Sequence, residues 1–168
     1  MLRQAFPIAT IIGATLILMG CTSTSSVPIE DAYIAPTGTD VATIKGSIVS
    51  QGGLFGDVHR GYVIMVDLKA IADPSDRIND PITLAPGRHI IAAEYRYSNF
   101  MARAYLPLEA QRGVSYQLMI SNGHEDIKDG RPTSDFWIVN ATTGKSVTQV
   151  YRRQASGGKK GTVFNVNK

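Results

Sequence analysis

The 168-residue chain contains one cysteine, Cys21, so it can form no internal disulfide. A thiol left without a partner in an exported, oxidising compartment needs another use for its sulfur. Charge of one sign is also scarce: 17 Lys and Arg stand against 14 Asp and Glu, a formal +3. Recognition of a phosphate backbone needs clustered cations acting together, so no nucleic-acid partner is expected. No serine stands in a Gly-x-Ser-x-Gly elbow, and His59, His89 and His124 lie too far apart for zinc-ligand spacing. Without a recognisable nucleophile, base and orienting residue, the expectation is a protein that is not an enzyme and carries no cofactor or metal. Helix is also in short supply, since no window sustains an apolar period of 3.6, and nothing in the middle of the chain resembles an interdomain linker.

What is present begins at the N-terminus. Arg3 is the only charged side chain before Cys21, and the apolar stretch Ala5 to Met19 follows it, broken by Pro7 and Gly13. At about 15 residues the stretch is shorter than the ~20 a spanning helix needs, which makes an export signal the expected reading and a retained anchor helix its alternative. Leu18-Met19-Gly20-Cys21 closes the stretch and resembles the lipobox of bacterial lipoproteins. That resemblance implies a diacylglyceryl thioether on Cys21, cleavage after Gly20 and acylation of the new α-amine. Met19 departs from the small residue usual at that place. Each buried methylene of such chains contributes about 0.8 kcal/mol, so two or three of them hold a protein permanently. Cleavage would remove Arg3 and leave the mature chain near +2.

Thr22 to Ser26 are all Ser or Thr, and Pro28 follows, a composition with little to bury that suits a tether. Thr22 stands where inner-membrane retention in lipoprotein families uses Asp, so the resemblance implies an outer-membrane location, with the domain facing the periplasm.

The body reads as strands. Val41–Val49 and Tyr62–Leu68 are the first two, the second uniformly apolar and so expected inside a sheet. From His89 to Tyr97 the odd positions carry Ile91, Ala93 and Tyr95 and the even ones Glu94 and Arg96, which predicts a half-exposed strand. Ala102, Ala104, Leu106 and Leu108 alternate with polar residues in the next, where Pro107 points to an edge or bulge. Val114, Tyr116, Leu118 and Ile120 repeat the pattern. Phe136–Ala141 and Ser146–Tyr151 flank a turn at Thr142-Thr143-Gly144-Lys145 and are expected to pair. The fold class expected is all-β, a single antiparallel β-sandwich of about seven short strands. The expected division is 1–20 signal peptide, 21–40 lipidated Cys and flexible tether, 41–152 sandwich, and 153–168 a basic C-terminal segment.

Leu84-Ala85-Pro86-Gly87-Arg88-His89-Ile90-Ile91 and Gly113-Val114-Ser115-Tyr116-Gln117-Leu118 resemble the PEGA-like sandwich domains of envelope lipoproteins. Such domains are commonly small and non-catalytic, and the likeness spans roughly residues 44 to 150. Pro86 fixes φ and Gly87 accepts φ > 0, which suits a turn launching the next strand.

Two segments carry candidate contacts. Gly52-Gly53-Leu54-Phe55-Gly56 lacks the Lys-Ser/Thr pair of a phosphate loop, so Leu54 and Phe55 are read as folded onto the core or offered to a partner. His124, Glu125, Asp126 and Asp129 form the densest acidic cluster, set among turn formers, without the spacing of a calcium loop. Arg152-Arg153 and Lys159-Lys160 make the end basic, suited to solvent or to anionic headgroups. The function expected is a membrane-anchored lipoprotein whose sandwich is a non-catalytic interaction or structural module. Its partners would be the bilayer, through Cys21, and an envelope protein or cell-wall polymer. The alternative is a periplasmic binding domain for a glycan, peptide or ion, using loops 52–60 and 121–134.

Overall fold

The alternating apolar positions fold into two packed sheets. In the computed structural model the described residues are 32–51, 57–128 and 131–157, and the side chains of 51, 122–128 and 131 lie outside the description. Eleven strands and no helix occur among them: β1 (Ala42–Lys45), β2 (Ser47–Gln51), β3 (Asp57–Val66), β4 (Lys69–Ala70), β5 (Ile82–Leu84), β6 (Gly87–Tyr97), β7 (Phe100–Ala110), β8 (Ser115–Lys128), β9 (Arg131–Asn140), β10 (Tyr151–Gln154) and β11 (Ser156–Gly157). One sheet runs β10-β9-β8-β1-β5 and the other β11-β7-β6-β3-β2, with β4 added to β3. The fold is the expected all-β sandwich. The count exceeds seven because β4, β5 and β11 are fragments of two or three residues and the expected first strand is divided into β1 and β2.

The core follows from the period-2 pattern. Ala102, Ala104, Leu106, Leu108 and Ala110 on β7 are buried while the residues between them are exposed. They meet Ile91 and Tyr95 of β6, Leu118 and Ile120 of β8, and Phe136 and Ile138 of β9 in one cluster. Each large apolar side chain so buried contributes roughly 1.5–3 kcal/mol. β3 is interior, pairing with β2 on one side and β6 on the other, as its apolar run predicts. Pro107 sits where β7 has only β6 beside it, because β11 pairs no further than Met101. A missing N–H therefore costs no ladder bond there.

Several expectations on detail are corrected. The stretch Val41–Val49 is two strands in different sheets, broken at Gly46. A Cβ on Gly46 would strike the Gly61 carbonyl, with Ile78 Cγ1 at 2.8 Å and Ile78 O at 2.9 Å, so only glycine lets the chain pass from one sheet to the other. The Gly46 N–H donates to Ile78 O at 2.9 Å, securing the crossing to the 71–81 connection. The sandwich is not wholly antiparallel, since β1 lies parallel to β8. The segment read as a loop at 121–134 is strand through Lys128 and again from Arg131, with the register irregular between Gly123 and Lys128. Residues 57–60 likewise belong to β3. After the turn at Gly144, where φ is +69°, Ser146 makes only an isolated bridge to Val139, and regular pairing with β9 begins at Tyr151.

Candidate functional site

Of the residues singled out from the sequence, Cys21, Leu54, Phe55 and Asp129 lie outside the described residues. His124, Glu125 and Asp126 fall on the backbone of β8 in its irregular stretch, and their side chains lie outside the description. Among the described residues no group of three His, Cys, Asp or Glu could hold a metal ion. The basic pair Arg152-Arg153 is tied down: Arg152 Nε and Nη2 donate to Asp135 Oδ1 and Oδ2 at 2.7 and 2.9 Å across the β9–β10 ladder, and Arg153 Nη1 donates to the Arg152 carbonyl at 2.8 Å.

Three polar arrangements do assemble. At one end of the interior, His59 is buried with its Nδ1 2.7 Å from Tyr95 Oη, and its ring stacks on Tyr97 at 4.3 Å. Burial, with smaller contributions from Tyr97 and Asp57, pushes the Tyr95 phenol up to about 12, so it keeps its proton and can donate to the imidazole. At the other end, His89 Nδ1 lies 2.7 Å from Asp67 Oδ2 and Nε2 lies 2.7 Å from Ala85 O. This is a hydrogen-bonded structural imidazole. It braces the turn at Asp67-Leu68, where both residues have positive φ.

The third arrangement covers the outer face of the β7-β6-β3 sheet. The two-residue turn Ser98-Asn99 sets Tyr97 opposite Phe100, which places Glu94 opposite Arg103. On its other side Glu94 faces Tyr62 of β3, and Arg60 faces Arg96. Glu94 was expected on an exposed face, yet it is only 1% exposed. The reason is tertiary: Arg96 Nε donates to its Oε1 and Arg103 Nε to its Oε2 at 2.7 Å, and the Arg96 guanidinium sits over the Tyr62 ring at 5.6 Å. Two long side chains thus roof the carboxylate while both arginines stay 54% exposed. Tyr105, exposed, continues the face along β7. The signal for this cluster was present in the hairpin register, because a two-residue turn at Ser98-Asn99 fixes every β6–β7 pair. The pairing of β3 with β6 had no such local marker.

A cavity of about 220 Å³ opens beside the Gly46 crossing, lined by Tyr33, Val63, Ile71, Ile78 and Ile82 with the Arg77–Asp80 ion pair at its margin. It is largely apolar and carries no convergent polar set.

Acid should loosen the sandwich through Asp135. The hydrogen bond from Arg152 holds this carboxyl below its ordinary value, against an opposing effect of desolvation and with help from the Arg152 charge and the Ser121 hydroxyl. A carboxyl depressed in the folded state stabilises fully above its unfolded value and loses that contribution as pH falls through its folded value. Stability to urea is therefore expected to drop below about pH 4 in the wild type. Asp135→Asn should be less stable than wild type at pH 7, and the gap should narrow toward pH 2. A gap constant with pH would contradict the pairing.

The class defined by fold and surface is an all-β sandwich bearing an arginine- and tyrosine-lined sheet face. Comparison with protein-family models, curated proteins and solved structures finds no match to this chain.

Proposed function

We propose that the chain is a lipid-anchored protein of the bacterial envelope, acylated on Cys21 and held at the outer membrane facing the periplasm. Its β-sandwich serves as a non-catalytic module that binds an envelope protein or wall polymer. The observation that carries this reading is the lone cysteine at the end of Leu18-Met19-Gly20-Cys21, behind an apolar stretch too short for a comfortable span. The described fold begins at Ala32, which bridges Ala70. The ten intervening residues can reach at most about 36 Å, enough to set the domain beside a bilayer. A rigid sheet face with fixed charges and aromatic rings suits recognition.

The test is the intact mass and membrane fraction of wild type beside Cys21→Ala. The wild type is expected to begin at Cys21, carry the added mass of diacylglycerol and an amide-linked acyl chain, and fractionate with the outer membrane. The variant should lose the lipid mass and the cleavage. A mature polypeptide that starts elsewhere with no added lipid would overturn the reading.

A further inference from the structure

The charge excess of the whole chain is small, but the sheet register concentrates it. Arg60 and Arg96 are directly opposed on β3 and β6, and Arg103 lies on the far side of Glu94. Like charges opposed on neighbouring strands destabilise a sheet. One carboxylate offsets one of these three cations, and Arg60 takes part in no ion pair among the described residues. A sequence that keeps such a conflict at an exposed place points to a use for it.

The geometry shows what that use is. Arg96 and Arg103 each spend their Nε–H on Glu94, and their terminal amino groups make no hydrogen bond among the described residues. The buried Glu94 thereby fixes two guanidinium planes by their inner edge and leaves the outer edge free. Tyr62 supports the plane of Arg96 from beneath. The rotamer entropy of two long side chains is thus lost on folding, before any ligand arrives. Two oriented forks and a third cation offer more donors than the two oxygens of a carboxylate can accept. A phosphoryl group, with more oxygens and greater charge, matches the set, since arginine forks bind it bidentately.

We infer that Arg60, Arg96 and Arg103, positioned by the buried Glu94, form a binding site for phosphoryl groups on the outer face of the β7-β6-β3 sheet. This deepens the interaction-module reading, and it does not require the lipid anchor. The phosphoryl group can belong to a soluble phosphate ester or to a lipid headgroup, and the experiment separates the two.

Pyrophosphate is titrated by calorimetry into the full-length protein in neutral detergent micelles at low ionic strength, and again with phosphatidylglycerol in the micelles. The wild type is expected to bind pyrophosphate, and Arg60→Gln, which removes no hydrogen bond or ion pair among the described residues, to bind it about tenfold more weakly. Arg103→Lys keeps the charge and a partner for Glu94 but loses the fork, and it should weaken binding severalfold. Arg88→Gln, which removes a cation paired with Glu109 outside the cluster, should bind as the wild type does. Competition by phosphatidylglycerol identifies a headgroup as the source, and undiminished binding identifies a soluble ester. Absence of pyrophosphate binding by the wild type, or equal binding by Arg60→Gln and Arg103→Lys with thermal unfolding unchanged, overturns the site. Intact mass of the same sample reports the anchor separately, so either idea can fail alone.

Discussion

Gly46→Ala is expected to destabilise the sandwich by about 3 kcal/mol or more, a large share of the 5–15 kcal/mol typical of a domain. The added methyl would overlap the Gly61 carbonyl and press on the side chain and carbonyl of Ile78. Two of these obstacles are backbone, fixed by the β2–β3 and β3–β6 ladders on one side and by the Gly46–Ile78 hydrogen bond on the other. Relief requires drawing Gly61 of β3 and the Ile78 connection away from the chain at the point where it changes sheets, and the Ile78 bond, worth about 1 kcal/mol, goes with it. Gly61→Ala offers a graded comparison: its methyl would meet Ile120 Cγ2 at 2.7 Å, a stiff β-branched side chain but not backbone, so a smaller loss is expected. Gly87→Ala meets nothing within 4 Å and should cost only the strain of its positive φ, about 1–3 kcal/mol. Urea unfolding of the three variants should rank them in that order of loss, Gly46 first. A Gly46→Ala protein as stable as wild type would mean that the two sheets are not joined by this crossing.

The second large effect concerns the roofed carboxylate. Arg96→Met with Arg103→Met should cost about 3–5 kcal/mol, because it strands Glu94 in a place without water and without a counter-charge. Adding Glu94→Met to that pair should recover much of the loss, since three apolar side chains of similar length need no partners. Non-additivity is the signature, and denaturant midpoints of the wild type, the double and the triple variant measure it. If the triple variant were the least stable of the three, Glu94 would be contributing something other than a desolvated charge.

Much of the architecture was legible locally. The alternation along Ala102–Ala110 and Tyr116–Ile120 named the buried faces, and Pro107 marked an edge that the ladder confirms. Gly87 has the positive φ its place after Pro86 implies, and Gly144 has one in the expected turn. Glu94 was misjudged because alternation tells which face of a strand a residue occupies, not how deeply neighbouring strands cover that face. The 121–134 segment departs from the expected loop because Asn122 and Gly123 are turn formers by propensity, and pairing between β8 and β9 overrides it. The candidate contacts at 54–55 and 124–129 stand out in the sequence by local density of chemistry, whereas the arginine face draws on β3, β6 and β7 at once.

By itself the sequence determined the class of secondary structure, the faces of its strands and the unusual solitude of Cys21, because periodicity, turn chemistry and composition act over a few neighbouring residues. Only the tertiary structure decided that Gly46 carries the chain between sheets, that β1 runs parallel to β8, and that one carboxylate gathers Arg96 and Arg103 beside Arg60. Those outcomes depend on which distant strands lie side by side, and strand pairing is settled by packing the whole core at once.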